Sequence, residues 1–265
     1  MIRVLVGALV AGVIAGFARQ RGMLSASGQW ASFLLGVLAA AAGWAWTVLL
    51  IAFFVTSTAL TRWRAEEKFR RTERSVPTGR ERSARQVLAN GGVAVLLALL
   101  FLRSGQQRWA LGALGALAAA SADTWSTEVG TLIGGTPRSI WTARPMAVGM
   151  SGGITAVGLL AGLAGAGFIA VLGAALLPLS PWRAAMATTT AGFAGCLADS
   201  LAGGGLQSRR YCDRCNEWTE RRVHPCGYRT RHRAGIYWVS NDVVNMLATG
   251  SGAVMAAMIG HWLAR

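Results

Sequence analysis

Residues 121–130 read S-A-D-T-W-S-T-E-V-G and follow directly on a long apolar run, so Asp123 and Glu128 are carried to the edge of hydrocarbon or into it. A charge at that depth costs about 2.5 to 3.5 kcal/mol on insertion scales, and an intramembrane acid therefore points to function. The function read here is to hold a cation.

The same stretch decides the fold class, because the chain around it is built from apolar blocks. A bilayer crossing takes about 20 apolar residues, and residues 22–61 hold almost no charge. A soluble protein with buried helices does not produce such a block. The segment 4–18 has Arg3 before an apolar core, as a signal peptide would, but no clear small-residue cleavage site follows, and it is read as a helix. The expectation is an all-α, polytopic transmembrane bundle forming one domain over 1–265. It has about seven spans: 4–18, 31–60, 87–102, 109–122, 147–177, 184–207 and 236–262. The fourth is too short to cross alone, so the Asp123 stretch is expected to continue it as a bent or broken helix lining a polar cavity. Eight glycines between Gly149 and Gly173 in the fifth fit close helix packing or a break.

A formal charge of +15 would suggest nucleic acid in a soluble chain, but in a membrane protein Lys and Arg mark the cytoplasmic loops. Segment 62–85 carries nine and segment 209–233 carries eight. Both also carry acids and lack the aromatic pattern of a nucleic-acid platform; no nucleic-acid partner is expected, and membrane lipid or an anionic ligand is. With a cytoplasmic N-terminus, the basic loop 62–85, the segment 123–146 and the basic Cys/His loop 208–234 all face in. They collect 20 of the 26 Lys and Arg when Arg3 is included. On this assignment Asn90, Asp123 with Glu128, Asp199, and Asn241 with Asp242 fall at the same face. Each has glycine nearby, which lets backbone approach a ligand closely.

Asp123, Glu128, Asp199 and Asp242, with Asn90, Asn241 and Asn245, are hard oxygen donors. Mg2+ takes one or two such carboxylates together with substrate phosphates. On a regular helix Asp123 and Glu128 point about 140 degrees apart, so either the helix breaks between them or only one binds metal. The alternative for all these polar groups is that they hydrogen-bond one another and hold helices together. Arg80, Arg82 and Arg85, with Arg138 and Arg144, stand where a nucleoside triphosphate could meet them, guanidinium being suited to phosphate; setting topology and touching headgroups is the other reading. Cys212, Cys215, His224 and Cys226 (C-D-R-C, then H-P-C) form a tetrahedral Zn2+ set in one loop, with reduced cysteines and no metal as the alternative. Trp125 and Trp238, beside the acids, either line a lipid-tail entrance or anchor at the interface.

Several stretches in order, Q-V-L-A-N-G-G (86–92), S-A-D-T-W-S-T-E-V-G (121–130), D-S-L-A-G (199–203), the C-x-x-C with T-E (219–220), H-P-C-G (224–227) and W-V-S-N-D-V-V-N (238–245), resemble the phytyl-phosphate kinase / transmembrane protein 19 family. The resemblance covers the chain from about Arg85 onward. It implies an isoprenoid-monophosphate kinase of the cytoplasmic membrane, using a nucleoside triphosphate, CTP favoured, with Mg2+. On that reading Asp123 and Asp199 bind Mg2+, and Glu128 and Asp242 are further ligands or orienters. Arg85 and Arg144 contact phosphate. Asn90, Asn241, Asn245 and Ser200 orient phosphate or metal-bound water. The competing readings are a CTP-dependent cytidylyltransferase acting on a lipid phosphate and a transporter of a lipid or ion.

Overall fold

The computed structural model describes residues 2–76 and 81–263. The chain begins with α1 (Ile2–Gln20), α2 (Ala26–Ala42) and α3 (Trp44–Arg62), followed by the short α4 (Ala65–Thr72). Then come α5 (Ala84–Ser104), α6 (Gln107–Ile133), α7 (Ala156–Leu176), α8 (Pro181–Gly205) and α9 (Asn241–Trp262). Between α6 and α7 lies an antiparallel pair, β1 (Arg138–Ser139) with β2 (Gly153–Ile154). Between α8 and α9, strands β3 (Arg209–Cys212), β4 (Glu217–Thr219) and β5 (Arg231–Ala234) form an antiparallel sheet in the order β4-β3-β5. The fold is mostly helical and polytopic, as expected, but not all-α: the Cys/His loop folds as a small sheet, and α4 interrupts the basic loop 62–85.

Among the described residues five helices, α1, α3, α5, α7 and α9, are long and apolar enough to cross a bilayer, and α2 is a shorter apolar helix. The helix at the centre is α6, buried at every position from Ala110 to Ala122. Its Ala and Gly side chains let neighbours approach to backbone contact. At Gly115 an added Cβ would sit 2.3 Å from the Gly252 carbonyl oxygen of α9. Such small-residue seams replace the hydrophobic drive that is missing between helices in lipid. On α7, Gly158, Gly162 and Gly165 meet Ser126, Ala122 and Trp125 of α6, which answers the glycine-rich fifth span with close packing. That helix starts at Ala156, and Gly149–Gly153 belong to the preceding loop.

Two expectations fail. The run 31–60 is not one span but the antiparallel pair α2 and α3, turned at Gly43. Its φ of 147° lies where side-chain-bearing residues are strained. The reversal shows in the contacts: Ser25 at the start of α2 and Thr61 at the end of α3 both bond Arg82, and Arg3 at the start of α1 donates to the Ala41 carbonyl at the end of α2, 2.6 Å away. The start of α1 and the segment 62–85 therefore lie at opposite ends of the bundle. The N-terminus does not share a face with the basic loops. The second failure concerns the break alone: the Asp123 stretch continues the fourth span and lines a polar cavity as expected, but α6 runs unbroken through Asp123 and Glu128 to Ile133.

Candidate functional site

At the end of the bundle where α3, α6 and α8 finish and α5, α7 and α9 begin, a polar cavity of about 330 Å3 opens. Asp123, Asp199, Glu128, Asn90, Asn241, Asn245 and Ser200 all line it, so residues from four helices far apart in sequence come together as expected. Asp123 and Asp199, from the facing helices α6 and α8, are within hydrogen-bond distance of each other. Two carboxylates this close repel unless a proton or a cation lies between them. Asn245 of α9 fixes the second: with its amide turned to satisfy both atoms, the nitrogen donates to Asp199 Oδ1 and to the Asn241 carbonyl, each at 3.1 Å. The oxygen then faces Asn90, 3.3 Å away.

Glu128, five residues beyond Asp123 on an unbroken helix, is aimed elsewhere. One oxygen accepts from Thr61 Oγ1 at 2.7 Å, and the other pairs with the buried Lys68 ammonium. Lys68 also donates to the Leu60 and Thr61 carbonyls at 2.6 and 3.0 Å. A cation at the C-terminal carbonyls of α3 answers the negative end of the helix dipole, so α4 is pinned under α3 by the same side chain that neutralises Glu128.

Two arginines line the cavity, Arg62 at the end of α3 and Arg82; the second stands 3.4 Å from Thr61 Oγ1. Its backbone is held by Met23 and Ser25, just before α5 opens with the capping box of Ser83 and Gln86. Burial works against the Arg82 charge and Glu128 supports it. Arg85 and Arg144 do not line the cavity, nor does Asp242, whose charge neighbour is Arg85. Arg80 lies outside the described residues. The Thr58 hydroxyl lines the cavity, buried and without a hydrogen-bond partner among the described residues. Trp125 is stacked on Phe168 between α6 and α7, and Trp238 is exposed; neither lines the cavity.

The floor of the cavity on the α7 side is the loop Val148–Gly153. Gly152 has φ +84°, and an added Cβ would lie 2.4 Å from Gly204 Cα. Gly203–Gly205, expected to approach a ligand, instead pack against this loop and Trp141. Glu220 clamps the loop from beneath, accepting from Ser151 N at 2.9 Å and from Gln207 Nε2 at 2.7 Å. Burial pushes its carboxyl above the ordinary range, against the lowering effect of those bonds.

Glu220 is delivered by the Cys/His loop. Cys212 ends β3, and Cys215, His224 and Cys226 come from the turns around β4, their ligand atoms all within 4.8 Å of one another. This set can hold a metal such as zinc. His224 Nδ1 is 3.2 Å from Cys226 Sγ, while Nε2 faces Glu217 at 3.3 Å, as the outer carboxylate of a metal-bound histidine does. The His224 bond lowers the Cys226 thiol to about 6, and the bond with Cys226 raises Cys215 to about 11. Cys196 lies apart, buried in α8. The sheet docks on the segment after α4, with Thr219 Oγ1 and Glu220 N both bonded to the Ser75 carbonyl at 3.0 and 2.7 Å.

Sequence reading missed Lys68, Thr61 and the clamp role of Glu220. Lys68 carried a signal: it is the single lysine in a chain with 26 Lys and Arg, where every other basic position is Arg.

No solved structure matches the chain. Among curated proteins it is 30% identical to Protein PGR of Arabidopsis thaliana, over 93% of this chain and 92% of that one. It is 31% identical to an uncharacterized membrane protein of Methanocaldococcus jannaschii, over 98% and 95%. To Protein VTE6, chloroplastic, of Arabidopsis thaliana it is 28% identical, over 91% of this chain and 66% of the relative. The integral membrane protein family DUF92 matches residues 9–253, nearly the whole helical bundle, and the chain belongs to that family of multi-pass membrane proteins.

Proposed function

We propose that the protein is a prenyl-phosphate kinase, transferring the γ-phosphoryl group of a nucleoside triphosphate, CTP favoured, to a phytyl- or geranylgeranyl-type monophosphate. The observation that carries this reading is the meeting of Asp123 and Asp199 beside Arg82 in a polar cavity at the end of a membrane bundle. The kinship with VTE6 and the motif resemblance to phytyl-phosphate kinases support it. The cavity face carries the basic loops, with Arg3, Arg103, Arg108 and Arg183 at the other end. By charge, the cavity face is the cytoplasmic one and meets the cytosolic nucleotide, and the membrane is the cytoplasmic membrane.

The accepting group is a phosphate monoester, largely ionised at neutral pH because its second pKa is about 6; the site needs no strong general base. A monoester oxygen bonds to the γ-phosphorus, the bond from that phosphorus to the β-phosphate oxygen breaks, and the nucleoside diphosphate leaves. Catalysis of this kind rests on positioning and on charge stabilisation. Asp123 and Asp199 are the donors that fit Mg2+, two hard oxygen ligands from facing helices. When bound, the ion draws phosphate oxygens together and offsets their charge. Arg82 contacts phosphate. Asn245 and Asn90 hold Asp199 in place, and Glu128, held by Thr61 and Lys68, balances Arg82. Ser200 and Asn241, which line the same cavity, orient the phosphate groups.

The test is turnover by purified protein with Mg2+, geranylgeranyl or phytyl monophosphate and each of CTP, ATP, GTP and UTP, resolving lipid and nucleotide products. Lipid diphosphate with nucleoside diphosphate, abolished in Asp123→Asn and Asp199→Asn, is expected. A CDP-lipid with pyrophosphate would move the reaction to cytidylyl transfer, and no turnover with any nucleotide by folded protein would end the enzyme assignment.

A further inference from the structure

Beside the polar cavity runs a second, apolar one, between α1 and α2 on one side and α3 and α5 on the other. Val10 and Ile14 of α1, Leu35 of α2, and Leu50 and Phe54 of α3 line its length. The two cavities share three residues, Arg82, Gln86 and Asn90. A molecule whose charged end reaches Arg82 thus has a hydrocarbon-lined path leading away from it.

The direction and depth of this path follow from the helices. Thr61 of α3 lies at the polar cavity, and Thr47 lines the far part of the slot, about 21 Å along the helix at 1.5 Å per residue. On α1 the lining runs back from Ala15 to Gly7, away from the polar end. That reach exceeds half of a hydrocarbon core about 30 Å thick.

The wall formed by α1 is the one least packed against the rest of the bundle. Gly7 meets Ala40, and Gly36 meets Ala11, so closely that an added Cβ would stand 2.2 and 2.7 Å from the neighbouring Cβ. Helices α1 and α2 are therefore a tight pair. Against the remaining helices α1 makes at most marginal contact, and it faces α3 across the slot. The enclosed volume, about 90 Å3, is a narrow slit, and its side toward lipid is the one between α1 and α3, which make at most marginal contact.

We propose that this slot holds the linear hydrocarbon tail of the lipid phosphate whose headgroup occupies the polar cavity, and that its lining sets tail-length preference. The proposal rests on the reading of the polar cavity as a lipid-phosphate site. Burial of each CH2 contributes about 0.8 kcal/mol, equally available from the bilayer. The gain from a slot is hence not affinity but registration: a tail fixed between α1 and α3 holds the phosphate at Arg82 and the acids, where proximity governs rate.

The experiment joins photocrosslinking to a length series on the full-length protein in detergent. A prenyl monophosphate bearing a diazirine on its tail is irradiated with the protein and the adducts are mapped. Adducts at Val10, Ile14, Leu50 or Phe54 are expected. Adducts confined to the outward-facing Leu9 and Val13 would overturn the proposal. In parallel, Ile14→Trp, which fills the slot, lowers the ratio of kcat/KM for a C20 over a C5 monophosphate by on the order of tenfold. The outward Val13→Trp, on the exposed face of the same helix, leaves that ratio as it was. An unchanged ratio in Ile14→Trp refutes the slot as the tail site. Should the wild-type protein turn over no monophosphate, the kinase reading fails, and the crosslink map still decides the slot.

Discussion

The ion pair of Lys68 and Glu128 is the most exacting test of how the site is held, because both side chains are largely buried, 9% and 19% exposed. Lys68→Met removes the ammonium and leaves Glu128 with Thr61 as its hydrogen-bond donor. Removing one partner of a buried pair costs about 3 to 5 kcal/mol. Adding Glu128→Gln takes away the stranded charge, and what remains lost, besides the support Glu128 gives Arg82, is the pair of bonds from Lys68 to the Leu60 and Thr61 carbonyls, about 1 kcal/mol each. The double variant should therefore be less stable than wild type by at least about 2 kcal/mol, and more stable than Lys68→Met alone. The cycle is measured by denaturant titration of wild type, both single variants and the double in one detergent. A coupling energy below about 0.5 kcal/mol would refute the assignment of Lys68 as the charge partner of Glu128. It would leave Glu128 free to serve as the metal ligand that the sequence alone suggests.

Three other outcomes follow from the same geometry. Cys215→Ser removes one ligand of the Cys/His set; bound zinc, measured by elemental analysis, falls to background. Far-ultraviolet helicity stays, while KM for the nucleotide rises on the order of tenfold as Glu220 loses its footing under the cavity loop; full zinc content would refute the ligand set. Glu220 has a folded pKa raised by burial, so ionising it costs the fold, and its contribution to stability is greatest below the unfolded value of about 4.3 and declines as pH rises through the folded one. Glu220→Gln removes that decline, and a pH–stability profile of the variant parallel to that of wild type would contradict it. Finally, a thiol probe that cannot cross the membrane, applied to intact cells, labels a cysteine placed at Ile2 but not one placed at Glu66; labelling of the second alone would reverse the orientation.

How legible the site was depended on how each residue is held. Asp123, Asp199, Asn90 and Asn245 stood out because a polar side chain inside an apolar run has no solvent to justify it. The structure brings all four to one cavity. Arg85 and Arg144 were chosen among many arginines by nearness in sequence alone. A one-step offset decides whether such a side chain faces the cavity, and it is Arg82, in the turn before α5, and Arg62, at the end of α3, that do. Glu220 stood in the T-E motif, but its clamp role was hidden for a different reason. Its role depends on a sheet folded around the Cys/His set and docked on Ser75, a contact between segments more than a hundred residues apart.

The missed turn at Gly43 shows why a partly wrong topology still located the site. Nothing polar marks that turn, which reads A-A-A-A-G-W. Only a glycine able to take φ near 147° allows α2 to reverse into α3. One missed reversal changes the parity of every later crossing relative to the N-terminus. It changes them all together, because Gly43 precedes every cluster from Asn90 to Asp242. Their placement at one common face therefore survives, and only the N-terminus moves to the other side. The basic residues move with the clusters, so the sign of the charge bias is unaltered, and Arg3 passes to the poorer side. The correction strengthens the charge argument: Arg3 passes to the far end, bonded to the α2 carbonyl at Ala41, but Arg19, paired with Glu81, and Arg21, whose carbonyl accepts from Arg62, join the basic face.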